Sequence, residues 1–287
     1  MFDRHRKCQK NIVSHAFMKK SGLIFVLCTV LFSAHMVCFG QSNFGESTDE
    51  AKTKKAKAVM TKAIGKLGGT KYLDVKTSIG EGRFSLLKDG VTISFQKFID
   101  VMVLPNKERT DFDERGSKIV QVNTGDTGWI YEEHLESFRD QKEKSIESFK
   151  KSLRSHYDYL LRRDWSDEAT LTYVGRRRAS LGKRNDVLKL TFKDGFEVEY
   201  EFSDAGLPMK TLFNSFNSEK KPIVEETRYA RFISESGILT PFVVDRFTDG
   251  KHSFRVNYES VIYNKNISDE IFIKPADPKK LRKKLKL

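Results

Sequence analysis

Val91–Val103, VTISFQKFIDVMV, decides how the rest of the chain is read. Its odd positions are Val91, Ile93, Phe95, Lys97, Ile99, Val101 and Val103, and its even ones include Thr92, Ser94, Gln96 and Asp100. Side chains alternate across a strand, so this segment builds a sheet with one apolar and one polar face. Lys97 is the one charge on the apolar side and points to a bulge or strand end there. Leu104-Pro105-Asn106 breaks the strand, a charged run fills residues 107–115, and the chain returns over residues 119–122. It turns through Gly125-Asp126-Thr127-Gly128 into Trp129-Ile130-Tyr131, where glycine supplies positive φ and the Asn and Asp side chains bond their own backbone. The rest of the chain is expected to finish this sheet and cover its apolar side.

Strand signals recur to the end of the chain, over residues 76–87, 170–174, 187–192, 196–202, 209–216, 222–233, 241–248, 253–263 and 271–273. Phe196, Val198, Tyr200 and Phe202 share one face, with Glu197, Glu199 and Glu201 on the other. Lys193-Asp194-Gly195, residues 203–206 and Thr248-Asp249-Gly250-Lys251 are hairpin turns. Short hairpins join antiparallel neighbours, so the pattern predicts an antiparallel meander of mainly β (α+β) class. Gly80 and Gly82 mark a bend. Two helices break the run. The first spans residues 49–67, with Val59, Met60, Ala63, Ile64 and Leu67 on one stripe, Ser47 to Glu50 at its start and Gly68-Gly69 at its end. The second is one long helix over residues 135–161, in which Leu135, Phe138, Ile146, Phe149, Leu153, Tyr157, Leu160 and Leu161 recur at three- and four-residue steps. Arg162-Arg163 follow at its C-terminus, where the helix dipole favours positive charge. This second helix is the expected cover for the sheet.

Charge sets limits on partners. The net charge is +13, but residues 1–40 hold six Lys/Arg and one acid, and residues 279–287 hold six more basic residues. The body is nearly balanced, which argues against a nucleic-acid partner and for a solvated basic tail. That tail has a second use as a peripheral contact with anionic lipid, at about 1 kcal/mol per Lys or Arg. Arg176-Arg177-Arg178 beside Tyr173 reads as a charged strand edge that discourages aggregation rather than a polynucleotide clamp.

Residues 1–40 read as an export signal with an upstream extension: Met18-Lys19-Lys20, an apolar core over 22–32, and Cys38-Phe39-Gly40 before Gln41. An uncleaved membrane anchor is the alternative. Cleavage after Gly40 removes Cys8, Cys28 and Cys38, so the mature chain has no cysteine and no disulfide. Residues 41–49 form a flexible leader, 50–278 the domain and 279–287 the tail. A periplasmic monomer without metal or cofactor is expected. No nucleophile elbow, metal-binding helix motif or phosphate loop is present in the sequence. His134, His156 and His252 are isolated, and His156 is placed at a surface or interface. Asp111, Asp113 and Glu114, interleaved with Lys107, Arg109 and Arg115, read as a solvated loop of mixed charge rather than an acid–base or calcium cluster. The 22 phenylalanines are mostly ordinary core or, in a curled sheet, the walls of an apolar pocket for a lipid chain; composition leaves both open.

Four segments, in chain order, resemble the LolA-like family of periplasmic lipoprotein carriers and LolB. They are residues 103–109 with Leu104-Pro105-Asn106, residues 123–131 ending in Trp129-Ile130-Tyr131, Leu207-Pro208, and residues 264–275 with Asn264, Asn266, Ile267, Asp269, Phe272 and Pro275. The resemblance covers most of residues 50–278. It implies an incomplete antiparallel β-barrel covered by an N-terminal helix and one long internal helix, with acyl chains held between sheet and cover. Ile93, Phe95, Ile99, Val101 and Val103 would line the sheet side, with Trp129 and Tyr131 at one edge. Phe149, Leu153, Tyr157 and Leu160 would close over the ligand from the helix. Where the family carries a basic residue before the first proline, this sequence has Leu104. The function implied is non-catalytic lipid-chain binding by a lipoprotein carrier or sorting protein with envelope donors and acceptors. The alternative is an envelope sensor or scaffold that uses the same fold to bind a protein partner.

Overall fold

The computed structural model describes residues 46–287 except 115, 163, 164, 181, 218, 283, 284, 286 and 287. Residues 1–40, read from the sequence as an export signal, lie outside the described residues. Thirteen strands follow in chain order: β1 (Thr77–Lys88), β2 (Val91–Val103), β3 (Lys107–Glu114), β4 (Ser117–Thr124), β5 (Gly128–Glu132), β6 (Ser137–Asp140), β7 (Ala169–Arg178), β8 (Arg184–Phe192), β9 (Glu197–Phe202), β10 (Pro208–Phe216), β11 (Pro222–Glu235), β12 (Ile238–Thr248) and β13 (Lys251–Tyr263). They form one open antiparallel sheet in the order β6-β5-β4-β3-β2-β1-β13-β12-β11-β10-β9-β8-β7. Each strand pairs with its chain neighbour, β1 also pairs with β13, and the two edges are β6 and β7. The meander expected from the hairpin turns is the one observed.

Among the described residues four α-helices accompany the sheet: α1 (Glu46–Leu67), α2 (Thr70–Leu73), α3 (Glu143–Ser155) and α4 (Tyr157–Arg162). α1 starts at Glu46 and so takes in residues 46–49, which composition assigned to the leader. Its Val59, Ala63 and Leu67 are buried as the stripe requires, with Met60 and Ile64 packed beside them. The long helix expected over residues 135–161 is not continuous. Leu135 lies in a 3-10 turn and is exposed, Glu136 turns left-handed at φ 47°, and Phe138 sits on β6, paired with Tyr131. Helix then runs from Glu143 and breaks at His156, whose backbone is extended at φ −73°, ψ 142°. His156 starts α4 as a cap: its Nδ1 accepts the backbone N–H of Asp158 (3.2 Å), the geometry that satisfies a free donor at a helix start. Helical spacing over a long window hid both the edge strand and this cap.

Two cores lie on opposite faces of the sheet. On the helix side, α1 and α4 cover Leu188, Leu190, Val198, Tyr200, Phe202, Phe213 and Tyr229. On the far side, Ile79, Val101, Val120, Val122, Trp129 and Tyr131 pack under Phe272 and Leu281 of the C-terminal segment, with Ile99 and Val103 beside them. That segment is not the strand expected at 271–273. It forms 3-10 turns at Asp269–Phe272 and Pro278–Arg282, and Trp129 Nε1 donates to Phe272 O (2.9 Å). Within the described part of the tail Lys279 and Lys280 are exposed, while Leu281 is buried and Leu285 packs beside the same core.

The charged run is a strand over Lys107–Glu114, not a solvated loop. Arg109 and Asp111 are each 5% exposed and form a paired fork, Nε to Oδ1 at 2.7 Å and Nη2 to Oδ2 at 3.1 Å. Arg109 Nη1 also donates to Ile271 O (2.9 Å) and Lys118 stands 3.7 Å from Asp111. Positions two apart share a strand face, so the pair lands together under the C-terminal segment and each charge finds its partner there. At the β7 edge, Arg177 reaches Glu199 (2.6 Å) and the buried Glu201 (2.9 Å). Glu201 is thus enclosed although it points away from Tyr200 and Phe202.

Candidate functional site

Between the helix-side face and the α3–α4 corner lies a cavity of about 300 Å³. Leu73 of α2, Val75, Met102 of β2, Leu104 and Leu153 of α3 give it apolar walls, and His156, Asp158 and Arg162 bring polar groups from the corner and α4. A deeper chamber of about 110 Å³ lies beyond it over β1, β2, β12 and β13, past Gly80, Asp100, Tyr157, Tyr258 and Tyr263. Val75, Met102, Leu104, His156, Asp158 and Arg162 wall both, so the two spaces adjoin.

The strand geometry explains the depth. Gly80 carries no Cβ, and Tyr258 lies in the space one would occupy, with its Cε1 2.5 Å from that position. At Gly82 a Cβ would come 2.1 Å from Asn257 O, and the β1–β13 register shifts between Glu81 and Gly82. The bend expected at these glycines is a bulge, the device that kinks a strand and raises local twist. Tyr157 meets the Tyr229 ring edge-on at 4.9 Å, and Phe98 meets Tyr258 at 5.5 Å, closing the inner end with aromatic rings.

Polar groups are few and mutually bound. Tyr72 Oη donates to Asp158 Oδ1 (2.5 Å), Arg162 stands 3.7 Å from Asp158 and over the Tyr72 ring, and Arg162 Nη2 donates to Val75 O. Enclosure by protein lowers the His156 pKa; Asp158 opposes this and Arg162 adds to it. The neutral ring fits its capping role, with Nδ1 as acceptor. On the floor Asp100 accepts from Thr110 Oγ1 (2.8 Å), and on the neighbouring strand Glu108 accepts from Asn123 Nδ2 (3.4 Å). Met102 pairs with Glu108 and Asp100 with Thr110, so both carboxyls share the helix-side face. Enclosure pushes Asp100 up to about 6. Enclosure and the Asp100 charge push Glu108 up to about 8. Both acids are held nearer neutrality than in water.

Eleven residues were expected to line one cavity, and the structure does not bring them together. Leu153 and Tyr157 border it. Leu160 is buried in the helix-side core, and Phe149 is buried on α3. Ile99, Val101, Val103, Trp129 and Tyr131 belong to the far-side core under the C-terminal segment. Ile93 and Phe95 are 57% and 52% exposed, because β2 there extends beyond β3, whose pairing begins at Lys97. The face of β2 that meets the cavity is the even one, through Asp100 and Met102. Sequence reasoning missed it because alternation distinguishes two faces without saying what covers each. Arg162, read as a charge at a helix end, and Leu104, read as a strand break, were the available signals.

No protein-family model matches the chain, and no curated protein matches it. Solved structures do. A DUF1329 family protein from Desulfovibrio piger aligns at TM-score 0.53 and 16% identity, over 76% of this chain and 97% of its own. A protein described as an outer membrane lipoprotein-sorting domain, from Vibrio parahaemolyticus, aligns at 0.54 and 12%, over 79% and 100%. A LolA superfamily protein from Nitrosomonas europaea aligns at 0.48 and 13%, over 76% and 97%. At these identities the likeness is one of fold, and the first two structures share the architecture of this chain, in keeping with the LolA-like fold expected from the sequence.

Proposed function

We propose that the chain binds the acyl chain of a lipid or lipoprotein in the cavity under α3 and α4, without catalysis, as a periplasmic carrier or sorting protein. The observation that carries this reading is the cavity itself, an apolar-walled space between sheet and helices that adjoins a deeper chamber over β1, β2, β12 and β13. At about 30 Å³ per small group, a space of that size takes on the order of ten methylenes. Each contributes about 0.8 kcal/mol, so the gross gain is near 8 kcal/mol before the cost of association. Such binding is transient, and handover needs only an acceptor that binds more tightly. Among the described residues no helix is long and apolar enough to cross a membrane. Purifying the full chain from the envelope and extracting it for mass spectrometry should yield acyl lipids in stoichiometric amount. A protein that carries none and takes up no apolar fluorescent probe contradicts the reading.

A protein partner is the second reading, and the β1–β2 hairpin favours it. Val91, Ile93 and Phe95 are exposed on a stretch of β2 that β3 does not reach. An open strand edge with apolar side chains is a template for strand addition by another chain. Crosslinking from residue 93 in envelope preparations separates this reading from cargo transport alone.

A further inference from the structure

Arg162 stands out among the polar groups around the cavity. Its side chain is 9% exposed and borders both chambers. A guanidinium has five N–H donors in a fixed fork. Here Nη2 donates to Val75 O, Nη1 is 3.7 Å from Asp158 and beyond hydrogen-bond reach, and Nε is buried with no partner. A buried donor without an acceptor is costly, and the cost disappears when something supplies one.

The surroundings decide what that something is. Asp158 already faces the guanidinium, Tyr72 hydrogen-bonds Asp158, and Asp100 lies on the floor of the deeper chamber. A second full negative charge would enter beside two carboxyl groups, whereas a carbonyl oxygen brings an acceptor without charge. The apolar walls at Leu73, Met102, Leu104 and Leu153 take the chain attached to it.

We propose that Arg162 is the polar anchor of the cavity and receives the carbonyl oxygen of an acyl ester or amide, with the hydrocarbon chain running along the apolar walls. The inference rests on the lipid-binding reading and narrows it, to neutral acylated lipids over free fatty acids and bare hydrocarbons. A small rotation of the side chain that turns Nη1 off the Asp158 side brings a donor to the carbonyl.

Displacement of N-phenylnaphthylamine, a neutral apolar probe, from the full chain tests it. Methyl oleate should displace the probe at about one tenth the concentration needed for octadecene or oleate, the factor expected of one hydrogen bond to a charged donor. Arg162→Met keeps the stem and removes the donors, so probe binding should persist while the advantage of methyl oleate disappears. Arg162→Lys should restore part of it. Equal displacement by ester and hydrocarbon, stronger displacement by oleate, or an unchanged ester advantage in Arg162→Met overturns the assignment and leaves lipid binding standing. A wild-type chain that binds no probe removes the lipid-binding reading instead. The wild-type ligand order decides the matter even if Arg162→Met fails to fold.

Discussion

Replacing Glu108 by glutamine should stabilise the protein, and more so as pH rises. Glu108 lies on β3 opposite Met102, with its folded pKa raised to about 8, from burial first and the Asp100 charge second, while Asn123 pulls it back. An unfolded glutamate titrates near 4.3. Between these values the folded state binds more protons than the unfolded one, so the contribution of this group to stability falls as pH rises. It is intact below about pH 4 and lost by about pH 8 to 9. A full shift of this size has a ceiling near 5 kcal/mol at 1.36 kcal/mol per unit. Water at the concave face and sharing with Asp100 bring the expected effect to the order of 2–4 kcal/mol. Glutamine matches the neutral acid in shape and still accepts from Asn123. Thermal unfolding should therefore place Glu108→Gln level with wild type at about pH 4.5 and roughly 5–12 °C higher at about pH 9. An equal offset at both pH values, or a less stable variant at the higher one, refutes the placement of an enclosed, proton-holding carboxyl opposite Met102.

Three further outcomes are expected. Leu153→Trp fills the mouth of the cavity and should weaken apolar-probe binding tenfold or more, with the melting temperature within a few degrees of wild type. Asp111→Ala strands the Arg109 guanidinium under the C-terminal segment and should cost about 3–5 kcal/mol in urea unfolding, much more than Glu219→Ala, which removes the exposed pair with Lys221. Phe272→Ala opens the far-side core and should cost about 3–5 kcal/mol, with a red shift of Trp129 emission as water reaches the indole.

Much of the fold was legible because it is written locally. Asp-Gly and Gly turns between alternating runs force antiparallel neighbours, and β2 was readable from Val91 to Val103. α1 kept the stripe read over Val59–Leu67 because one side of the helix is buried from Ala56 onward. The failures have a common cause. Residues 135–161 hold apolar side chains at helical spacing, yet β5 offers an unpaired edge that Ser137–Asp140 takes, and His156 caps a new helix four residues after Ser152. Arg109 and Asp111 looked solvated because the sequence does not show that residues 269–282 fold back over them.

Composition and period therefore determined by themselves that this chain is an antiparallel meander whose strands have unlike faces, with a helix at its start and a helical segment inside it. Only the tertiary structure decided which face meets which cover. The C-terminal segment took the odd, apolar side of β2, and the even side, with Met102 and Asp100, was left to floor the cavity under α3 and α4. A side-chain period of two fixes the contrast between the faces of a strand, but the partner of each face lies far away in the chain.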